Sequence, residues 1–148
     1  MTNGIVCQDH VQIRFSRGAD LTEILEIEQQ SFEMPHTAKS LNRAMCQKDV
    51  ITIVLELDHQ VLGYAMYRLQ KHCLKVERLA VARRFRRNGV ATQILRRLIG
   101  KLATQRRRSV IMDVDEALLP CHLLLHKVGF FAWSVNRESG EYCFEYQI

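Results

Sequence analysis

The sequence predicts a single α/β (α+β) domain, a sheet flanked by helices, and three observations carry that expectation. Val76 to Val81 reads as a short apolar strand that runs through an arginine-rich turn into an amphipathic helix from about Gly89 to Thr104. Strand-like runs precede it at Val50 to Leu57, Val61 to Leu69 and Leu74 to Val81, too closely spaced for intervening helices. A strand, a helix and a closing hairpin follow it. At 148 residues the chain suits one buried core rather than two.

The elements follow in order. Residues 1 to 10 lack periodicity and are expected to form a flexible arm, leaving 11–148 as the domain. Val11 to Ser16 alternates apolar and polar residues, as a half-buried strand does. Asp20 and Glu23 resemble a capping box that opens a helix to about Gln30. Leu21, Ile24, Leu25 and Ile27 form its apolar stripe, with Glu23, Glu26 and Glu28 expected to face water. Ser31 to His36 breaks the helix at Pro35, and Thr37 caps a second one to about Cys46.

The runs at Val50 and Val61 form a hairpin around Asp58-His59-Gln60, and Gly63 marks a bulge or a close approach. Ser109 to Val114 is a short strand. Pro120 suits the first turn of a helix through about Lys127, ended by Gly129. Phe130 to Val135 and Tyr142 to Gln147 close the chain as a hairpin around Glu138-Ser139-Gly140.

Composition narrows the function classes. The chain is 47% hydrophobic and 25% charged, ordinary for a globular protein, and carries no apolar run of membrane-spanning length. The first residues lack the pattern of a signal peptide, so a cytoplasmic location is the default expectation. Five cysteines, odd in number and never in a Cys-x-x-Cys arrangement, argue against a disulfide framework or a zinc site. The net charge of +5 is concentrated in arginines between Arg83 and Arg108, which suits a phosphorylated ligand or a nucleic acid. Because no exposed aromatic pattern interleaves them, nucleic acid is the less favoured partner.

The turn itself is built to hold an anion. The first N–H groups of a helix have no intrahelical acceptor, and the aligned peptide dipoles add partial positive charge. Gly89 permits close backbone approach, Ala91 leaves room beside it, and Arg83, Arg84, Arg86 and Arg87 add charge. Arg86-Arg87-Asn88-Gly89-Val90-Ala91 resembles the Arg/Gln-x-x-Gly-x-Gly/Ala pattern of the GNAT superfamily of acetyl-CoA-dependent N-acetyltransferases. The resemblance implies a mixed, mostly antiparallel sheet flanked by helices and a cofactor site for acetyl-CoA with no metal. Arg84, Arg86, Arg87, Asn88, Gly89, Val90 and Ala91 would then hold the pyrophosphate, and the backbone of Leu79, Ala80 and Val81 the pantetheine arm.

Ile27-Glu28-Gln29-Gln30-Ser31-Phe32 followed by Pro35 is similar to the start of the bacterial ribosomal-protein N-terminal alanine acetyltransferases, a GNAT branch. That resemblance implies a protein or peptide amine acceptor, bordered by Phe32, Pro35 and His36, where His36 replaces the usual tryptophan. It also implies a base at Asp113, counted from Gly129-Phe130; Glu77, on the strand face opposite Arg78, is a second candidate read from the strand itself. The tyrosine that protonates the thiolate in that branch falls on Leu125, and an asparagine expected to contact the cofactor falls near Leu118; neither leucine can take those roles. Three readings stay open: Tyr142, Tyr146 or His126 replaces the acid, solvent protonates the thiolate, or the protein binds acetyl-CoA and transfers poorly. Alternatives for the whole chain are a small-amine acetyltransferase and a non-catalytic acyl-CoA-sensing or RNA-associated module. His122 and His126 have metal-ligand spacing without a third ligand, and Cys121 sits where a helix start would favour a thiolate.

Overall fold

The computed structural model describes residues 11–148, so the expectation for residues 1–10 lies outside the described residues. Strands β1 (Val11–Phe15), β2 (Val50–Leu57), β3 (Gln60–Leu69), β4 (Cys73–Val81), β5 (Ser109–Asp115), β6 (Phe131–Asn136) and β7 (Glu141–Gln147) form one seven-stranded sheet. Its spatial order is β1-β2-β3-β4-β5-β7-β6. Helices α1 (Leu21–Ser31), α2 (Ala38–Met45), α3 (Val90–Lys101) and α4 (Leu119–Val128) cover its faces. Hairpins join β2 to β3 and β6 to β7, whereas β4 and β5 run parallel because α3 carries the chain across between them.

Alternation along each strand assigns the two faces. Tyr64 and Met66 of β3 face α1 and α2, packing with Ile24, Ile27, Leu41, Val54 and Ala80. Ala65 and Tyr67 face the opposite way, into a larger core under α3 and α4 with Ile94, Leu95, Leu98, Val110, Leu125 and Phe144. The α1–α2 core takes residues from β2, β3 and β4 alone among the described strands, so those two helices cover one half of the sheet.

The helix termini differ in how they match the sequence. Thr37 caps α2 as expected, its Oγ1 accepting the Ser40 N–H at 3.1 Å. Gly129 ends α4 with φ at 109°, donating its N–H to the Leu125 and His126 carbonyls. The capping box at Asp20 and Glu23 does not form. Asp20 accepts the Arg14 guanidinium at 2.8 and 2.9 Å, and Glu23 accepts the Val61 N–H at 3.0 Å. The guanidinium fork, joined by the Arg17 N–H at 2.7 Å, occupies the Asp20 carboxylate, and Glu23 reaches across to β3, so both side chains tie the start of α1 to the sheet instead. Regular α3 ends at Lys101 rather than Thr104, with Leu102 to Arg106 forming turns.

Glu28 is the larger departure: it is fully buried, not facing water. It follows Ile24 by four residues, on the same helix face, and the sheet supplies the partners that let a carboxylate stay there.

Candidate active site

The site begins where the parallel ladder stops. β4 and β5 pair from Cys73–Ser109 to Val76–Met112, and both strands then continue without pairing to each other. β5 stays paired with β7 as far as Asp115–Glu141, and β4 stays paired with β3 as far as Val81–Gly63. A wedge therefore opens between Glu77–Val81 and Asp113–Asp115. A bulge at Glu77, where the β3–β4 register slips between Met66 and Tyr67, lies at its apex. The backbone edge of β4 from Glu77 to Val81 has no strand partner on the β5 side.

The arginine-rich turn before α3 stands at the open end of the wedge. Arg87 has φ at 66° and Gly89 at 81°, so the chain turns through two left-handed residues before α3 begins. Asn88 stabilises that turn, its side-chain amide donating to the carbonyls of Phe85 at 3.2 Å and Arg86 at 3.1 Å. The first intrahelical bond runs from the Gln93 N–H to the Gly89 carbonyl, which leaves the N–H groups of Val90, Ala91 and Thr92 ahead of the ladder. Arg84 and Arg87 are exposed there. Arg86 is already engaged: it donates to the Val81 carbonyl at 3.0 Å, the Gln30 carbonyl at 3.2 Å and Ser31 Oγ at 3.0 Å. It thereby fastens the turn to the end of α1.

Leu79 and Val81 pack their side chains toward the α3–α4 core, and Ala80 packs toward α1. Their side chains are thus taken up by the two cores, and the backbone is what β4 presents to the wedge.

Asp113 and Glu77 both lie near the apex, where Lys75 holds the first and Arg68 the second. Asp113 follows the last β4–β5 pair directly, with its carboxylate 3.6 Å from Lys75 Nζ. It lies across from Cys143 of β7. Burial and the adjacent Asp113 carboxylate push that thiol up to about 11. Glu77 is gripped by Arg68 at 3.1 and 3.3 Å, and Arg68 also holds Asp49 at 2.7 Å. Of the two carboxylates, Asp113 has the looser partner.

The turn between α1 and α2 lies against Arg78 of β4. His36 donates its backbone N–H to Glu28 at 3.0 Å, and its Nδ1 lies 2.9 Å from Ser40 Oγ. Phe32 lies beneath Arg78, whose guanidinium carbon is 4.1 Å from the ring centroid. Pro35 is exposed in the turn.

Leu125 is fully buried in the α3–α4 core, and Leu118 is the exposed residue preceding α4. Among the three alternative proton donors, Tyr142 pairs with Val114 at the wedge end of β5. Tyr146 pairs with Val110 at the closed end, and His126 packs edge-on against Phe144. Burial raises the pKa of the Cys121 thiol, against the thiolate that a helix start would favour. His122 sits between Tyr142 and Phe144 with its Nε2 2.9 Å from the Asp115 carbonyl. Among the described residues no group of three His, Cys, Asp or Glu side chains is placed to hold a metal, and no helix is long and apolar enough to cross a membrane.

Residues 21–130 match the family model described as the acetyltransferase (GNAT) family. The chain belongs to the GNAT acetyltransferase family. Solved structures with the GNAT architecture superpose over nearly the whole chain. A ribosomal-protein alanine N-acetyltransferase from Escherichia coli aligns with a TM-score of 0.78 at 16% identity, covering 91% of this chain and 90% of that one. The PaiA N-acetyltransferase from Thermoplasma acidophilum, in complex with coenzyme A, aligns at 0.80 and 11% identity, covering 93% and 99%. A spermidine N-acetyltransferase from Vibrio cholerae aligns at 0.80 and 13% identity, covering 95% of each chain. No curated protein matches this GNAT chain by sequence.

Sequence reasoning missed the cluster of Glu28, Tyr64 and Arg78. Its signal was present: a carboxylate on an apolar helix stripe, with one arginine and one tyrosine on the strands that face it.

Proposed function

We propose that this protein transfers the acetyl group of acetyl-CoA to a primary amine, at the N-terminus of a protein or peptide, by direct attack in a ternary complex. The observation that carries the reading is the wedge: an unpaired β4 edge leads straight to the bare N–H groups of Val90, Ala91 and Thr92. An extended pantetheine arm fits the edge, and a pyrophosphate fits the helix start with Arg84 and Arg87. The coenzyme A complex of the Thermoplasma structure supports the assignment of the cofactor. The same cofactor is abundant in the cytoplasm, which is the location we propose.

The amine approaches from the face carrying Asp113. An α-amino group titrates near ~8, against ~10.4 for a lysine, so a weak base acting through one water suffices to neutralise it. Asp113, salt-bridged to Lys75 at 3.6 Å, accepts that proton. The nitrogen then attacks the thioester carbonyl, the C–S bond breaks, and the sulfur takes a proton from Tyr142 or from solvent. Positioning supplies much of the acceleration. A polyamine acceptor is the second reading, favoured by the spermidine enzyme's equally close fold.

Thermal unfolding with and without acetyl-CoA tests the cofactor site. Ligand at a hundred times its dissociation constant adds about 2.7 kcal/mol, which raises the midpoint by roughly 5–10 °C for a domain of this size. Gly89→Trp and Ala91→Glu, folded but blocked, should lose the shift. No shift in the wild type at millimolar ligand overturns the reading.

A further inference from the structure

Glu28 is the most buried carboxylate among the described residues. A desolvated carboxylate persists only when cations and hydrogen-bond donors surround it. Its Oε1 accepts the His36 N–H at 3.0 Å. Its Oε2 accepts the Tyr64 hydroxyl and lies 3.2 Å from Arg78 Nε. One carboxylate thus ties the last turn of α1, the turn that follows it, β3 and β4 together. Burial and the Glu28 carboxylate hold the Tyr64 hydroxyl well above the usual tyrosine range, so it stays a donor.

Arg78 has the more telling position. It follows the Glu77 bulge, at the apex of the wedge, and its side chain is 23% exposed while that of Glu28 is 0%. Its guanidinium covers the Phe32 ring, and its Nη2 reaches the Met34 carbonyl at 3.5 Å. Scaffolding alone does not require charge here, because a buried ion pair exchanged for well-packed apolar residues is commonly neutral or stabilising. A lone arginine at this mouth would repel an incoming ammonium group.

We propose that Glu28 and Arg78 are a positioning pair for the acceptor. Arg78 anchors the Phe32–Met34 turn against the β4 bulge, and Glu28 cancels the arginine charge so that a cationic amine can reach the wedge. Neither is a catalytic residue. The inference rests on the acetyltransferase reading above.

The test uses the full chain, acetyl-CoA and two probes: an alanine-starting pentapeptide amide whose side chains are uncharged and whose α-amine is free, and spermidine. Glu28→Gln preserves shape and can still accept the His36 N–H through its amide oxygen, while leaving Arg78 unbalanced. The expected result at pH 7 is a rise in peptide KM of about 10-fold or more, with kcat within about 3-fold. The rise should shrink at pH 9, where most of an α-amine is neutral, and at high salt. Adding Arg78→Gln to Glu28→Gln should bring KM back toward the wild-type value. The acetyl-CoA thermal shift should be unchanged in every variant.

An unchanged KM in Glu28→Gln overturns the proposal. So does a rise that is equal at both pH values and not relieved by the second substitution, since that describes a packing defect. A wild type that shifts with acetyl-CoA yet neither binds nor acetylates either probe also overturns it, and leaves the cofactor site standing. Loss of the shift in the wild type overturns the acetyltransferase reading itself.

Discussion

Gly63 of β3 lies directly beneath Val90, the first residue of α3. A Cβ added at Gly63 would stand 2.9 Å from Val90 Cγ1 and 3.0 Å from the Ala80 carbonyl oxygen. The helix start proposed to hold the cofactor is therefore seated on the sheet at a point where only a hydrogen fits.

Gly63→Ala should push the α3 N-terminus away from β4. Overpacking of this kind costs about 1–3 kcal/mol. Denaturant titration should show that loss, and calorimetry should show weaker acetyl-CoA binding than in an Arg96→Ala control. Retained affinity would separate the seat of α3 from the ligand site.

Asp20 offers a pH signature. The Arg14 hydrogen bond is the largest influence on it and holds its carboxyl below the ordinary carboxylate range, while burial opposes that shift. A lowered folded pKa means that the stabilisation is present above the unfolded value near ~3.9 and is lost as pH falls through the folded value. Asp20→Asn should cost about 1–3 kcal/mol at pH 7. Urea unfolding should find the gap between wild type and variant closing as pH drops below ~4.

Cys143 reports on Asp113. Burial contributes most to its raised pKa, about 11, and the Asp113 carboxylate raises it further. The thiol should alkylate slowly at pH 8, and its rate should climb as pH approaches that value. Asp113→Asn removes the negative neighbour, so the climb should begin at lower pH. Mass spectrometry of iodoacetamide adducts gives the profile, and an unmoved profile would place Asp113 away from the sulfur.

The proton route is divided by two substitutions. Asp113→Asn should lower kcat by roughly 100-fold, in the range expected for loss of a general base, with acetyl-CoA binding intact. Tyr142→Phe should lower kcat if the hydroxyl protonates the departing sulfur and leave it unchanged if water does. Steady-state kinetics with the alanine-starting peptide reads both. Leu125→Tyr should not raise kcat, because position 125 is closed inside the α3–α4 core.

Much of this architecture was legible along the chain. Alternation placed β1 and β5, a run of β-branched residues placed β2, and the Gly63 signal proved to be both a close approach and a neighbour of a register slip between Leu55 and Glu56. The Gly89 turn was legible because its glycine and arginines are contiguous. What escaped was set by contacts between distant segments. Glu28 reads as polar by type, while its helix position next to Ile24 and Ile27 points inward; Tyr64 and Arg78, distant in the chain, join the His36 N–H in making burial tolerable. Asp20 looked like a cap because the competing Arg14 sits on another element. The parting of β4 and β5 was not read from the sequence: β5 keeps its alternation beyond the last shared pair, and the slip at Glu77 in β4 shows only in its register with β3.

That parting has a mechanical side. Four residue pairs, Cys73–Ser109 to Val76–Met112, form the seam between a β1–β4 half and a β5–β7 half. Beneath the seam the α3–α4 core spans both halves, whereas α1 and α2 grip one half alone. An extended molecule lying in the gap would act as a substitute strand, stitching the halves where the chain itself does not. Its arrival should show as a sharper, more concerted unfolding transition, with amide protection spreading from β4 into β5.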